Sequence, residues 1–485
     1  MVTLRKILFY FFVVLYLVLC PLIILYALGY IFTPKVEEGF AKTGLMHFET
    51  LPTGASISVA NKQYAEKTPT TVRNLLAGAY NVTLSRAGYR PWTRQIRIAP
   101  GKAVAFDKIL LMPQELKVKT LVSQPFDDLL SVPATRFLLL FKSKRAGDVS
   151  VFDWKDETAR PLLSANAPFR DAAVIRYFMI KKSSFVLFLV KMGEQTRFLG
   201  CQLDKEKPEV KDLSGLFRRG TPSEVRWEGD NPDDLFALYS GNLDRADLKK
   251  MKVRKNLLEG IQGFDLFRGK IFALRDCTLL QMDSNGEKGE EAVAEKGVFM
   301  ENLFRDTGAF KIDFISGRTL CFLGATGEFF ANELPYRFVS VGLKGYQPDD
   351  GGRKIALWQK ERLGVLDFTK EARKKELFER GPEIDWIYEG GEAIAQAYFV
   401  YGTSHVLFRD QAEVFLAPVG ESGAAAEALV KVREKSAVFY SDKTGRLYYL
   451  EPGQGYLVAA DILPEWPGLS GMFPEFEAPG QEAAK

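Results

Sequence analysis

The side chains best suited to chemistry are scarce in this sequence. It has two histidines, four cysteines and a few acidic doublets. General-base catalysis and metal ligation both lean on imidazole, so His47 and His405 leave little to build on. His405 sits in Gly402-Thr403-Ser404-His405, at the start of an expected strand, where a hydrogen-bonded strand-end residue is the simpler reading. A serine nucleophile needs an oriented base, and no Gly-x-Ser-x-Gly occurs. Cys20 lies in an apolar run, and Cys201, Cys277 and Cys321 are scattered without a CxxC pair. Neither a disulfide framework nor a zinc site is expected from them, although one bridge among the last three stays open. Asp233-Asp234 and Asp349-Asp350 have the ligand type for calcium, but Asp-rich turn caps account for them more simply. No phosphate-cradling GxxxxGK[ST] is present, and Gly351-Gly352 and Gly390-Gly391 read as turns. No catalytic, cofactor-binding or metal-binding residue is assigned, and no cofactor is expected.

The elements that would have to position any site are β-rich and follow one long apolar segment. From Ile7 to Phe32 there is no charged residue. At ~1.5 Å per residue these roughly 26 positions make a helix of about 39 Å, enough to cross a ~30 Å hydrocarbon core. Arg5 and Lys6 precede it and mark the cytoplasmic side. The expected organisation is a cytoplasmic N-terminus over 1–6, an uncleaved transmembrane helix over 7–33, and the bulk of the chain outside the cytoplasm. A cleaved signal peptide is the alternative, with Ala27-Leu28-Gly29 as its small-x-small site, but the apolar run is about twice the usual length. With six residues before Ile7, any signal to the cytoplasm would have to pass through a partner.

Residues 44–113 read as a compact all-β unit. Apolar alternation recurs in Ala55–Val59, Tyr80–Leu84, Gln95–Ile98 and Val104–Leu110, with turn residues between. Pro52 fixes φ, Gly54 supplies a conformation other residues avoid, and Thr68 before Pro69 is held extended. Pro52-Thr53-Gly54-Ala55, Thr68-Pro69, Leu76-Ala77-Gly78-Ala79-Tyr80, Gly88-Tyr89 and Pro100-Gly101 together resemble the PEGA domain. Thr53 replaces the eponymous acid, and Glu66 stands where such modules often have glycine. The resemblance covers about 70 of the 485 residues and implies a small extracytoplasmic β-sandwich without an active site. Tyr89 and Trp92 could stack on carbohydrate, but capping the sandwich core is the plainer reading.

Residues 115–466 carry a repeating plan. Eight apolar strand cores begin at about Phe137, Phe185, Leu235, Lys270, Thr319, Lys354, Ser404 and Ala437. Their spacing of roughly 35 to 50 residues matches one four-stranded propeller blade. Tyr346–Ala356, with Gln347-Pro348-Asp349-Asp350-Gly351 inside it, resembles the turn and strand of TolB-like and WD-type blades, and Asn231–Ala237 is a looser copy. The fold class expected is therefore all-β: a transmembrane helix, a PEGA-like sandwich, and a β-propeller of about seven or eight blades whose eight strand cores are its inner strands. Propeller-bearing peptidases need a hydrolase domain for which this chain has no room. Residues 471–485 are expected to be a disordered tail.

Composition narrows the function further. Hydrophobic residues make up 47% and charged residues 26%, a globular balance. Sixty-five basic and 61 acidic side chains leave a net charge of +4, which does not call for a polyanion. The basic stretch Lys249–Lys255 reads as an exposed strand rather than a nucleic-acid patch. The expectation is a non-enzymatic protein of the bacterial cell envelope, anchored in the cytoplasmic membrane. The sandwich would be a spacer and the propeller a platform for an envelope protein or a cell-wall polymer. The alternative is a propeller enzyme cleaving envelope glycans through two carboxylates ~5–10 Å apart.

Overall fold

A computed structural model describes residues 2–27, 29–32, 40–163, 168–180, 183–205, 208–229, 231–276, 278–286, 289, 291–294, 309–315, 320–332, 337–340, 342–371, 384–420 and 425–464. The expected tail at 471–485 and Cys277 lie outside these residues. Two compact units are present, one comprising residues 1–117 with 461–485 and the other residues 118–460.

The first unit opens with the helix Val2–Ala27, in which Arg5–Ala27 has a mean hydropathy of 2.9 and none of its apolar window is buried. The helix takes in Arg5 and Lys6 and ends at Ala27, six residues short of the expected 33. Gly29 stops it by adopting φ +81° and donating its N–H to the Tyr26 carbonyl at 3.0 Å. Tyr30–Phe32 then pairs as a strand with Phe40–Lys42.

Seven strands follow and form two sheets. Gly44–Leu51 lies between Thr70–Leu75, antiparallel, and Ala103–Leu110, parallel. The second sheet is ordered Lys62–Lys67, Ser56–Val59, Gly78–Ser85, Trp92–Ile98. Their inward residues, among them Met46, Phe48, Ile57, Val82, Leu84 and Ile96, make one core, and Tyr89 and Trp92 pack against its rim. The Pro52-x-Gly54 turn is fastened to the Thr68-Pro69 loop by a buried pair of hydroxyls. Thr68 Oγ1 accepts the Ala55 N–H at 2.9 Å and lies 2.5 Å from Thr50 Oγ1, which donates to the Pro52 carbonyl at 2.7 Å.

The second unit contains eight four-stranded antiparallel sheets among the described residues. Seven are continuous in sequence. Blades 1 to 7 begin with the strands Asp128–Ser131, Ala173–Met179, Glu224–Trp227, Gly263–Phe267, Phe310–Phe314, Gly345–Pro348 and Ile394–Val400. Blade 8 takes three strands from the far end, Phe439–Ser441, Arg446–Leu450 and Leu457–Asp461, and a fourth, Val118–Val122, from the near end. Val118 faces Ala460 and Thr120 faces Val458 across that seam.

The apolar core is a series of clusters, each shared by neighbouring blades. Phe188 and Leu139 belong to one joining blades 1 and 2, Trp227 and Phe185 to the next, and Phe264 and Phe236 to that between blades 3 and 4. Phe152, Leu138, Tyr448 and Leu457 join blade 8 to blade 1. This arrangement corrects the reading of the eight apolar strand cores as inner strands. The first seven are the second strands of their blades, and only Phe439–Ser441 leads its sheet. A second strand is covered on both faces by adjacent blades, so its central positions are all apolar. A first strand has one edge free and tolerates charge at alternate positions.

Phe152 is fully buried at the seam. Phe152→Ala should destabilise the second unit by about 3–5 kcal/mol. Urea unfolding of the full-length protein in detergent, followed by tryptophan fluorescence, reads this as a lower midpoint with an unchanged slope. An unchanged midpoint would mean that the seam is not part of the cooperative unit.

Candidate functional site

Alternate residues of a strand share a face, and on four consecutive first strands that face carries polar or charged groups that meet. Glu224 and Arg226 stand on the first strand of blade 3, Asp265 on that of blade 4, Lys311 and Asp313 on that of blade 5, and Tyr346 on that of blade 6. Arg226 gathers them. Its Nη2 lies 2.7 Å from Glu224 Oε1, and its Nη1 lies 2.9 Å from Asp313 Oδ1 and 3.8 Å from Asp265 Oδ1. Nη2 also donates to the Ile312 carbonyl at 3.1 Å. Lys311 Nζ, 2.8 Å away, and the Tyr346 hydroxyl hold the other Asp313 oxygen. Asp265 Oδ2 accepts the Phe314 N–H at 2.7 Å.

Gly263 allows this convergence. A β-carbon on it would stand 2.0 Å from the Phe310 carbonyl oxygen, so only glycine lets the first strands of blades 4 and 5 close on each other. Side-chain exposure is 19% for Arg226 and 9% for Asp313, against 55% for Lys311. Burial pushes all three carboxyls up. In Asp313 the neighbouring Arg226 and Lys311 outweigh it and hold the group below the usual range, while Asp265 and Glu224 remain raised. Burial and Asp313 together push the Tyr346 phenol well up.

A second group fastens blade 8 to its neighbours. Asp128 of blade 1 accepts the Ala437 N–H at 2.9 Å. From blade 7, Gln396 Oε1 accepts the Val438 N–H at 2.8 Å and the Tyr398 hydroxyl donates to the Val438 carbonyl at 2.9 Å. Burial raises the Asp128 carboxyl and lowers the Arg409 guanidinium nearby.

These arrangements decide what the inner strands can do. Acid–base hydrolysis needs one carboxyl free to protonate a leaving group and another free to act across from it. Here a guanidinium fills the space among three carboxyls, and each is engaged with a positive group or a backbone donor. The cluster ties four blades together and presents one well-exposed cation, Lys311.

The residues picked from sequence are scattered. His47 Nδ1 lies 2.9 Å from Thr71 Oγ1 in the sandwich. His405 begins a strand, buried, with Nδ1 2.8 Å from Ser404 Oγ. Ser404 Oγ also lies 2.9 Å from the Tyr401 carbonyl, so the hydroxyl bridges the turn that precedes the strand. Cys201 and Cys321 are free and buried, and burial pushes the Cys201 thiol up to about 12. Asp349 Oδ1 accepts the N–H groups of Arg353 and Lys354 at 2.7 and 2.9 Å, which is turn capping. Asp233 pairs with Lys249, and Lys250 with Asp247. Sequence reasoning missed Glu224, Arg226, Asp265, Lys311, Asp313 and Tyr346. The available signal was Glu-x-Arg and Lys-x-Asp at strand spacing, which any amphipathic strand can show.

Known proteins can now be set beside this geometry. The PEGA domain profile matches residues 43–112, and that segment is a PEGA domain. No curated protein sequence matches the chain. Similar solved structures include the β-propeller domain of Myceliophteria thermophila Cps50 (Swd1), at 10% identity and TM-score 0.43 over 72% of this chain and 100% of that one. The Dos1 propeller aligns at 11% identity and TM-score 0.47 over 73% and 95%. A Bacteroides uniformis protein named for 6-phosphogluconolactonase aligns at 13% and TM-score 0.36 over 62% and 94%. Likeness this distant concerns fold alone, and the propeller assignment rests on the strand order. The chain is a PEGA-containing β-propeller protein with an N-terminal apolar helix.

Arg226→Met should destabilise the second unit by about 3–5 kcal/mol, because it strands buried charge. The carboxyls should separate by pH. Asp313 is depressed, so its contribution is complete above about pH 4 and is lost as pH falls through its folded value. Asp265 is raised, so ionising it costs stability as pH rises from about 4 through its folded value. Unfolding midpoints between pH 4 and 7 should therefore fall less steeply for Asp265→Asn than for the wild type. Asp313→Asn should be destabilised most at pH 7. Parallel profiles for both variants would rule out this division of roles.

Proposed function

We propose that this is a membrane-anchored protein of the bacterial cell envelope, with the PEGA domain and propeller on the extracytoplasmic side. The propeller is a non-enzymatic platform for an envelope protein or a cell-wall polymer, and the PEGA domain is the spacer preceding it along the chain. The observation that carries the non-enzymatic reading is the position of Arg226, which occupies the space that a substrate would need among Glu224, Asp265 and Asp313. The anchored reading is supported by an apolar helix with none of its span buried and by the PEGA domain that follows it.

Protease added to spheroplasts should digest the propeller while a cytoplasmic marker survives, and crosslinking in the same preparation should recover a defined envelope protein or glycan. Full protection until the membrane is breached would overturn the orientation. The glycan-cleaving reading draws support from the raised carboxyls of Asp265 and Glu224, since a general acid must hold its proton near neutral pH. Purified full-length protein should release no reducing ends from isolated cell-wall glycan. Release that is lost in Glu224→Gln or Asp265→Asn would replace the binding reading with the enzymatic one.

A further inference from the structure

The PEGA domain is far more basic than the chain as a whole. Residues 43–112 hold nine Lys or Arg against three Asp or Glu, whereas the chain has 65 against 61. Three of the nine, Arg73, Arg97 and Lys102, lie at the end of the sandwich nearest the helix, where none of the three acids stands. Thr43 donates both its N–H and its hydroxyl to the Gly29 carbonyl at 2.8 Å, two residues beyond the end of the helix. Thr43 in turn accepts the Gly101 N–H at 3.1 Å, and Leu45 N–H donates to the Lys102 carbonyl at 3.1 Å. Gly44 makes this joint tight, because a β-carbon there would stand 2.7 Å from the Lys102 carbonyl oxygen. The strand pairings Gly44 to Leu75, Leu45 to Ala103 and Gly78 to Ile98 bring Arg73, Arg97 and Lys102 to the same end as Lys42.

All four of these side chains are exposed, and none meets a carboxylate among the described residues. Lys42 Nζ lies 5.9 Å over the Tyr30 ring, an aromatic and cation pairing suited to a bilayer interface. The three acids of the domain stand away from this end. Glu49 is five residues along the strand from Gly44, about 16 Å at ~3.3 Å per residue. Asp107 lies beside Phe106, which pairs with Phe48, and Glu66 adjoins Lys67, which pairs with Ser56 at the turn end.

We propose that Lys42, Arg73, Arg97 and Lys102 form a docking face for the phosphate groups of anionic lipids in the membrane that the helix crosses. The inference rests on the reading of Val2–Ala27 as a membrane span. A helix exit fixed by Thr43 delivers this end of the sandwich to the headgroup layer, where each cation near an anionic surface gains and the gain fades beyond a Debye length.

The test is hydrogen–deuterium exchange of the full-length protein in nanodiscs of phosphatidylcholine alone and of phosphatidylcholine with about one-third phosphatidylglycerol. Amides around 97–103 should exchange on the order of tenfold more slowly in the anionic discs at low salt, and the difference should vanish at about 1 M salt. The combined variant K42Q/R73Q/R97Q/K102Q should lose the lipid dependence while exchange in the propeller stays as in the wild type. If that variant unfolds, each single Gln variant should reduce the difference by part. Equal exchange in the two discs overturns the proposal. So does equal protection by inorganic phosphate added to the neutral discs, which would indicate a free-anion site. If the anchor reading itself fails, the protein does not co-elute with discs of either lipid, and that outcome removes both readings.

Discussion

The second unit depends on one constraint: each blade has two apolar faces, and a row of such sheets leaves two faces uncovered unless its ends meet. Seven of the blades are each continuous in sequence. The eighth is assembled from both ends of the unit, with Val118–Val122 pairing onto Leu457–Asp461. The entropy of joining strands so far apart grows only slowly with the intervening length. The seam then buries Phe152, Tyr448 and Leu457 together. Side chains of Asp128, Gln396 and Tyr398 fix the backbone at 437–438 from both neighbouring blades.

Closing the ring has a consequence for its inner strands. Once the apolar faces are used between blades, polar residues on first strands meet one another across blade boundaries rather than bulk water. Three acids brought together in this way would repel. The Arg226 guanidinium satisfies them with its planar fork of donors, a geometry that an ammonium group could not reproduce. The exchange is costly in desolvation, which is why Glu224 and Asp265 remain raised while Asp313, with two cations and a phenol, does not. The same contacts that hold blades 3 to 6 together engage each of these carboxyls with a cation or a backbone donor.

The legible parts of this protein were those set by local rules. The apolar helix, the PEGA turn and the blade repeat each follow from a run, a glycine or a period. The helix boundary was displaced because Tyr30–Phe32 is as apolar as the helix before it, and only pairing with Phe40–Lys42 makes it a strand. The strand cores are legible as apolar runs but their rank within the blade is not, since burial on both faces marks the second strand rather than the first. The Arg226 cluster was not visible, because its members come from four blades and are spread over more than a hundred residues. Thr50 and Thr68 escaped for the same reason: a threonine in a strand is ordinary until its partner eighteen residues away is known.

Charge shows how an average conceals an arrangement. A balance of 65 to 61 over the whole chain is the sum of a strongly basic PEGA domain and a remainder that is slightly acidic. Within the PEGA domain the three acids stand away from the helix end, where Arg73, Arg97 and Lys102 meet no carboxylate among the described residues. Like charges gathered at one end of a seventy-residue module repel one another. On the proposed reading, the anionic surface offsets that repulsion, and the acids are kept clear of it.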